Sequence, residues 1–158
     1  MAVHADGIGP TLRLTPAEPS PVSRGALRCT LALRNQSDRA VWVNRRLAIN
    51  HPISPPHLRE VDFLIQDVRG HIAEFASKVR VGLPHPEDFV ELAPGETVER
   101  PFDLAFYYVL ASGQEYEVQA IYENYFVPES LKDAPVWTGR LVSHTLKMTP
   151  ETEAPVLA

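Results

Sequence analysis

Residues 92–122 carry the pattern that most constrains the fold of this chain. Pro94 and Gly95 form a turn signal ahead of one alternating segment, and Gly113 precedes a second alternating segment that begins at Tyr116. Glycine lets the backbone turn tightly, and alternation of apolar and polar residues is typical of a half-buried strand. A tyrosine at a strand entry is typical of a β-sandwich corner, where its hydroxyl bonds to nearby backbone. We therefore predict that these four residues form the structural corners of a β-sandwich.

Residues 27–34 show the clearest alternation in the chain. Every second residue is apolar, and this set includes the single cysteine: Leu27, Cys29, Leu31 and Leu33. The pattern predicts a strand with one face on a core. Other short segments predict further strands, at residues 11–15, 41–43, 61–66, 72–75, 89–92, 97–104, 116–122 and 137–148. The last segment changes phase near residues 140–142, which predicts a bulge, and Arg100 with Pro101 predicts a bulge or a sheet edge.

These segments predict an all-β protein, an immunoglobulin-like antiparallel β-sandwich of seven to nine strands. We expect a single domain over residues 11–148, with a loose lead at residues 1–10 and a flexible tail at 149–158. The spacing of Cys29, Trp42 and Tyr116 resembles the immunoglobulin layout, with Val118 at the position of the second cysteine. Alternation does not decide whether Trp42 faces the core, because Val41 and Val43 claim the opposite side.

The corner motifs resemble the small β-sandwich domain that precedes the catalytic domain of deuterolysin-type (peptidyl-Lys) metalloendopeptidases. The matching block is Leu92-x-Pro94-Gly95-Glu96, Phe102-Asp103-Leu104, Gly113-x-x-Tyr116-x-Val118 and Tyr122. The wider layout is similar to the stand-alone intracellular proteinase inhibitor family of bacteria, through Asn35-x-Ser37-Asp38 and Phe63-x-Ile65-x-Asp67-x-x-Gly70. The resemblance covers residues 26–122 and implies the fold. No His-Glu-x-x-His motif is present, so protease activity does not carry over, and inhibition is an analogy.

Composition argues against several function classes. The net charge is −5, and Arg45-Arg46 is the only adjacent basic pair, so we expect no nucleic-acid partner. No apolar run approaches the length of a membrane span, and no signal-peptide pattern opens the chain, so we expect a cytoplasmic protein without a membrane partner. The single cysteine excludes an intrachain disulfide.

The sequence offers no support for catalysis, a metal or a cofactor. No nucleophile motif occurs, and Cys29 lies on an apolar strand face without an adjacent base. His51 and His57 bracket a proline-rich loop, but zinc sites use tighter spacing or more ligands. We therefore expect a protein that is not an enzyme, with no catalytic residue, no metal site and no cofactor.

Aromatic residues in the connectors provide the candidate binding surface. We expect Phe106, Tyr108 and Trp137 to lie in the core, whereas Tyr125 and Phe126 fall in a long loop where exposure is the default. The predicted function is non-catalytic binding of another protein through loops at one end of the sandwich. Its candidate residues are Asn124, Tyr125, Phe126 and Lys132, together with His51 and His57. Alternatives are an intracellular protease inhibitor or toxin-neutralising antagonist, and a self-associating homo-oligomeric subunit.

Overall fold

The computed structural model describes residues 9–16 and 26–150. In these residues the chain forms nine strands and four 3₁₀ turns. The strands are β1 (Pro10–Pro16), β2 (Arg28–Asn35), β3 (Val41–Asn44), β4 (Val61–Asp67), β5 (Phe89–Leu92), β6 (Thr97–Asp103), β7 (Tyr116–Asn124), β8 (Gly139–Val142) and β9 (Leu146–Met148). All pairings between these strands are antiparallel, which confirms the all-β antiparallel class. No helix in the described ranges is long and apolar enough to cross a membrane.

The strands form three sheets. The first sheet has the order β1-β2-β6, the second pairs β3 with β5, and in the third β7 lies between β4 on one side and β8 and β9 on the other. The rings of Phe63 on β4 and Phe102 on β6 meet edge to face, with centroids 5.4 Å apart. This contact joins the inner faces of the first and third sheets.

The predicted inner faces are confirmed. The apolar residues of β2 and one parity of β4 and β7 are buried together: Leu27, Cys29, Leu31, Leu33, Val61, Phe63, Ile65, Tyr116, Val118, Ala120 and Tyr122. Burial, and to a smaller extent the charge of Asp103, raises the pKa of the Cys29 thiol to about 12. The thiol is therefore protonated near neutral pH and packs as a small apolar side chain.

The predictions that Trp137 and Tyr108 lie in the core are confirmed, and the orientation of Trp42, which alternation left open, is settled by its neighbours. Val41 and Val43 face the core, and Trp42 is half-buried. Trp137 is only 1% exposed and stacks on Tyr122, with ring centroids 5.6 Å apart. Gly139 has φ +137°, and a Cβ there would lie 3.3 Å from the Trp137 ring, so glycine lets the chain pass this ring.

Two local predictions are wrong, and a third is correct only in part. The segment 137–148 is two strands and not one, but it changes phase as predicted, a few residues later: Val142 pairs with Ile121 and Leu146 with Val118, so it has one residue more than the β7 segment opposite it. The Ser143 Oγ accepts from the Ala120 N–H at 2.9 Å at this point. Phe106 is 77% exposed and lies in a 3₁₀ turn (Leu104–Phe106), outside the core. Residues 72–75 form only isolated bridges, to Gln66 and Tyr108, and no regular strand.

Arg100 explains why β6 needs no bulge. The β2–β6 register is unbroken, and β6 is the edge strand of the first sheet. The Arg100 side chain stays in phase with Phe102, with its guanidinium carbon 4.9 Å from that ring's centroid. Its Nη1 donates to the carbonyl oxygens of Arg46 and Leu47 at 3.2 and 2.8 Å. A charge at this inward position is thus satisfied by backbone acceptors, and of the two predicted alternatives the edge is the one observed.

Both predicted corner segments contain a glycine with a positive φ angle and a hydrogen bond that closes the corner. Gly95 and Gly113 have φ +86° and +76°, a region that other residues rarely adopt. Gly95 follows Pro94 in the β5–β6 turn, and its N–H donates to the Asn35 carbonyl at 2.8 Å. The Tyr116 hydroxyl accepts from the Ala111 N–H at 2.8 Å, which ties the entry of β7 to the preceding loop.

Tyr122 provides a test of how the second and third sheets are joined. Its buried hydroxyl lies 3.2 Å from both the N–H and the carbonyl oxygen of Asn44 on β3. Tyr122→Phe leaves both backbone groups without a partner, and we expect a loss of about 2 kcal/mol in the free energy of unfolding. Urea unfolding measures it. The control, Tyr125→Phe at an exposed site, should change stability by less than about 0.5 kcal/mol. Equal effects of the two variants would contradict this account.

Candidate functional site

Two connections meet at one end of the third sheet. Val61 at the start of β4 pairs with Tyr122 near the end of β7. Just beyond this pair, the Glu123 N–H donates to the Glu60 carbonyl at 2.7 Å. The end of the connection before β4 (residues 45–60) therefore lies beside the start of the connection after β7 (residues 125–138).

A cavity of about 420 Å³ lies between the first connection and the outer face of the sheet. Its floor includes Asp62, Ile121, Glu123 and Arg140, and the residues over it include His51 and Arg59. Ile121 occupies an outward position of β7 and is nevertheless buried. Its burial shows that residues of the 45–60 connection cover this part of the sheet.

The Glu60 carboxylate anchors the 45–60 connection. Its side chain is buried, and it accepts from Arg46 Nε at 2.9 and 3.2 Å, from Arg46 Nη2, and from the Ala48 N–H at 3.1 Å. Arg46 also donates to the Gly82 carbonyl at 2.9 Å. A buried carboxylate requires such partners because its desolvation is costly. The connection is thus held at both ends by one ion pair.

A second set of contacts fixes the wall that carries His51. The His51 ring meets Phe75 edge to face at 5.3 Å, and Phe75 meets Tyr108 in the same way at 5.4 Å. The Tyr108 hydroxyl donates to Asp62 Oδ1 at 3.0 Å and accepts from the Phe63 N–H at 3.2 Å. Burial, reinforced by the charge of Asp62, raises the pKa of Tyr108, so the hydroxyl remains a donor. The wall is therefore well ordered and linked to the cavity floor.

Tyr125 lies beside the charged residues of the cavity. Its side chain is 44% exposed. Partial burial and the negative charge of Glu123 raise the pKa of its phenol, while Arg140 and Arg59 act in the opposite direction. The phenol of Tyr125 is therefore influenced by the charges of three side chains that line the cavity, although Tyr125 itself does not line it. We call His51, Pro52, Arg59, Glu123, Tyr125 and Arg140 the loop-end surface.

The other candidate residues take different places. Asn124 is only 2% exposed, and its Nδ2 donates to the carbonyl oxygens of Phe126 and Trp137 at 3.2 and 3.0 Å, so it shapes the loop and does not face outward. Phe126 is half-buried. Lys132 is exposed and pairs with Glu129 at 3.2 Å, and His57 is exposed in a 3₁₀ turn (Pro56–Leu58). Neither Lys132 nor His57 lines the cavity.

Sequence reasoning did not find the cavity or its two arginines. Arg59 and Arg140 are separated in the chain, and neither belongs to a motif. One signal was present: Ile121 is an apolar residue at a position of β7 where alternation predicts an exposed polar side chain. An apolar residue out of phase in a half-exposed strand indicates that something covers it.

Comparisons with known proteins do not identify a family. No protein-family model matches the sequence, and no curated protein matches it significantly. In the ranges 9–16 and 26–150, no group of three or more His, Cys, Asp or Glu side chains is placed to hold a metal ion. The assignment at this level is an all-β protein of several antiparallel sheets.

Arg46 provides a test of the anchor. Arg46→Met leaves the buried Glu60 carboxylate without its countercharge, and we expect a loss of about 3 kcal/mol in the free energy of unfolding. Arg45→Met is the matched control, because Arg45 is the exposed neighbour and, among the described residues, its one hydrogen bond is from its backbone N–H to the Asp88 carbonyl. It should change stability by less than about 0.5 kcal/mol. If chemical denaturation gives the same midpoint for both variants, the ion pair does not anchor this connection.

Proposed function

We propose that this protein is a non-catalytic binding module that captures another protein through the loop-end surface. The observation that carries the proposal is the meeting of two connections that present exposed apolar side chains beside one cavity. Ile53 is 77% exposed next to Pro52, and Val127 is exposed two residues after Tyr125. Exposed apolar groups at a rigid concave surface are characteristic of a protein interaction site.

The sheet order supports an immunoglobulin-like sandwich as the scaffold. The order β1-β2-β6 corresponds to strands A-B-E of that fold, and β4-β7 with β8 and β9 corresponds to C-F-G. The contact between Phe63 and Phe102 is consistent with face-to-face packing of these sheets. In such sandwiches the loops gather at the two ends, where binding residues are commonly found.

Tyr125 is the residue that we expect to contribute most to binding. A tyrosine brings a large contact area with few rotatable bonds, so ordering it at an interface costs little entropy. The buried amide of Asn124 fixes the adjacent backbone through Phe126 and Trp137. Burial of the Tyr125 ring in a partner groove would therefore start from an ordered loop.

Protease inhibition is the second candidate function, and one observation favours it. Ile53 is exposed in a short turn in which the Ser54 N–H donates to the His51 carbonyl at 2.9 Å, with Pro52 inside the turn and Pro55 directly after it. A stiff loop with an exposed apolar side chain suits insertion into an active-site cleft. This candidate shares the loop-end surface with the first, so the identity of the partner decides between them.

Site-specific photo-crosslinking tests the proposal. A benzoylphenylalanine at Tyr125 should crosslink one dominant partner in the cell that produces the protein. The matched control is the same group at Phe106, a more exposed aromatic residue in the connection between β6 and β7, at the opposite end of β7. Tyr125→Ala should then weaken binding of the identified partner by about tenfold or more, while Phe106→Ala should not.

The crosslinked species separates the alternatives. An endopeptidase would favour inhibition, and a second copy of this chain would favour self-association. Equal crosslinking from both positions, or binding unchanged in Tyr125→Ala, would reject the loop-end surface as the binding site. The melting temperature of Tyr125→Ala should stay close to that of the unmodified protein, because the side chain is substantially exposed.

A further inference from the structure

We propose that the cavity of the loop-end surface binds the carboxylate of an aspartate or glutamate side chain on the partner, through Arg59 and Arg140. The inference rests on the proposed function, because it assigns the chemistry that the partner brings to the same surface. Three observations support it. Arg59 and Arg140 have unused hydrogen-bond donors, the acids Glu60 and Asp62 already accept hydrogen bonds, and, with Glu60 neutralised by Arg46, the positive and negative charges that line the cavity are equal in number.

The two arginines keep unused donors. Arg59 Nε donates to the Ser54 carbonyl at 2.9 Å, and within the described ranges its terminal nitrogens make no hydrogen bond. Arg140 makes no side-chain hydrogen bond in the same ranges, although it lies opposite Glu123 in the β7–β8 register. The ion pairs of the described residues are those of Arg46, His71 and Lys132, and they include neither cavity arginine. Both guanidinium groups therefore offer hydrogen bonds to a ligand.

Two of the cavity acids are already engaged. Glu60 accepts from Arg46 and from the Ala48 N–H, and its charge is neutralised by that arginine. Asp62 Oδ1 accepts from the Tyr108 hydroxyl at 3.0 Å and from the Phe63 N–H at 2.8 Å. The free hydrogen-bonding capacity of the cavity is thus that of the two guanidinium groups together with the Glu123 carboxylate, and guanidinium donors in a fork geometry match a carboxylate.

The charge balance disfavours a doubly charged anion relative to a singly charged one. Arg59 and Arg140 contribute two positive charges, while Asp62 and Glu123 contribute two negative charges beside them. A phosphate group carries nearly two negative charges near neutral pH and would be repelled by both acids. A carboxylate adds one charge and pairs with a guanidinium through two parallel hydrogen bonds. A cavity of about 420 Å³ has room for a glutamate or aspartate side chain of the partner.

The test uses short capped peptides and nuclear magnetic resonance of the arginine Nε–H groups. The probes are acetyl-Gly-Glu-Gly-amide, its glutamine counterpart, acetyl-Gly-Gly-Gly with a free terminal carboxylate, and inorganic phosphate. The glutamate peptide should give saturable shifts at Arg59 and Arg140, and the glutamine peptide should give none. Arg140→Gln should weaken binding by about tenfold, as expected for losing one charge-assisted contact.

Two further variants keep the result interpretable. Arg59→Gln also removes the bond to Ser54, so the conclusion rests on Arg140→Gln, which removes no side-chain hydrogen bond to the part of the chain that the structure describes. Arg45→Gln, at an exposed arginine outside the cavity lining, should bind like the unmodified protein. The proposal is overturned if the glutamine peptide binds equally well, if phosphate or the terminal carboxylate binds more tightly, or if Arg140→Gln has no effect. Tyr125-dependent capture of a partner would survive that outcome, so the two failures are distinguishable.

Discussion

The buried carboxylate of Glu60 is the interaction on which the loop end depends. A carboxylate out of contact with water is stable only with a countercharge and donors around it. Arg46 and the Ala48 N–H supply these, and the Glu60 backbone carbonyl accepts from Glu123 on β7. One residue therefore ties the start of the 45–60 connection, its end and the third sheet together. The covering of Ile121 and the cavity above it follow from this arrangement.

The core and the loop end are stabilised by different interactions. The inner faces of the sheets are apolar, and a few polar contacts link the sheets, among them the Tyr122 hydroxyl with the backbone of Asn44 and the Asn35 amide with the Leu92 carbonyl. The loop end is built mainly from hydrogen bonds and one ion pair over a small apolar floor at Ile121. Apolar burial stabilises the core, whereas hydrogen-bond geometry and charge pairing stabilise the loop end.

Alternation predicted the parts of the fold that depend on local chemistry. The faces of β2, β4 and β7 follow from a period of two residues, and the corner glycines follow from turn geometry. Alternation could not decide which side of β3 faces the core, because Val41 and Val43 compete there with Trp42. It predicted a change of phase near residues 140–142, but not that the change lies between Val142 and Leu146, where the Ser143 hydroxyl accepts a hydrogen bond from the Ala120 N–H.

The candidate site was predicted only in part, because local sequence patterns do not show which distant residues meet. Tyr125 and His51 stood out because aromatic residues and prolines mark exposed loops. Their proximity to Arg59 and Arg140 depends on the β4–β7–β8 pairing, which the sequence does not reveal residue by residue. Asn124 appeared to be a binding residue because a polar side chain in a loop is normally exposed. Its burial reflects two backbone carbonyl groups that need a donor.

Hydrogen exchange across residues 48–60 in Glu60→Ala, compared with the unmodified protein, tests the role of this carboxylate most directly. Several amides of this connection are hydrogen-bonded within it, including those of Ser54, Leu58 and Arg59. The account predicts that these amides exchange faster in the variant, while the amides of β2 and the central residues of β7 keep their protection. Unchanged protection of residues 48–60, or a uniform loss throughout the molecule, would contradict the claim that Glu60 specifically anchors the loop end.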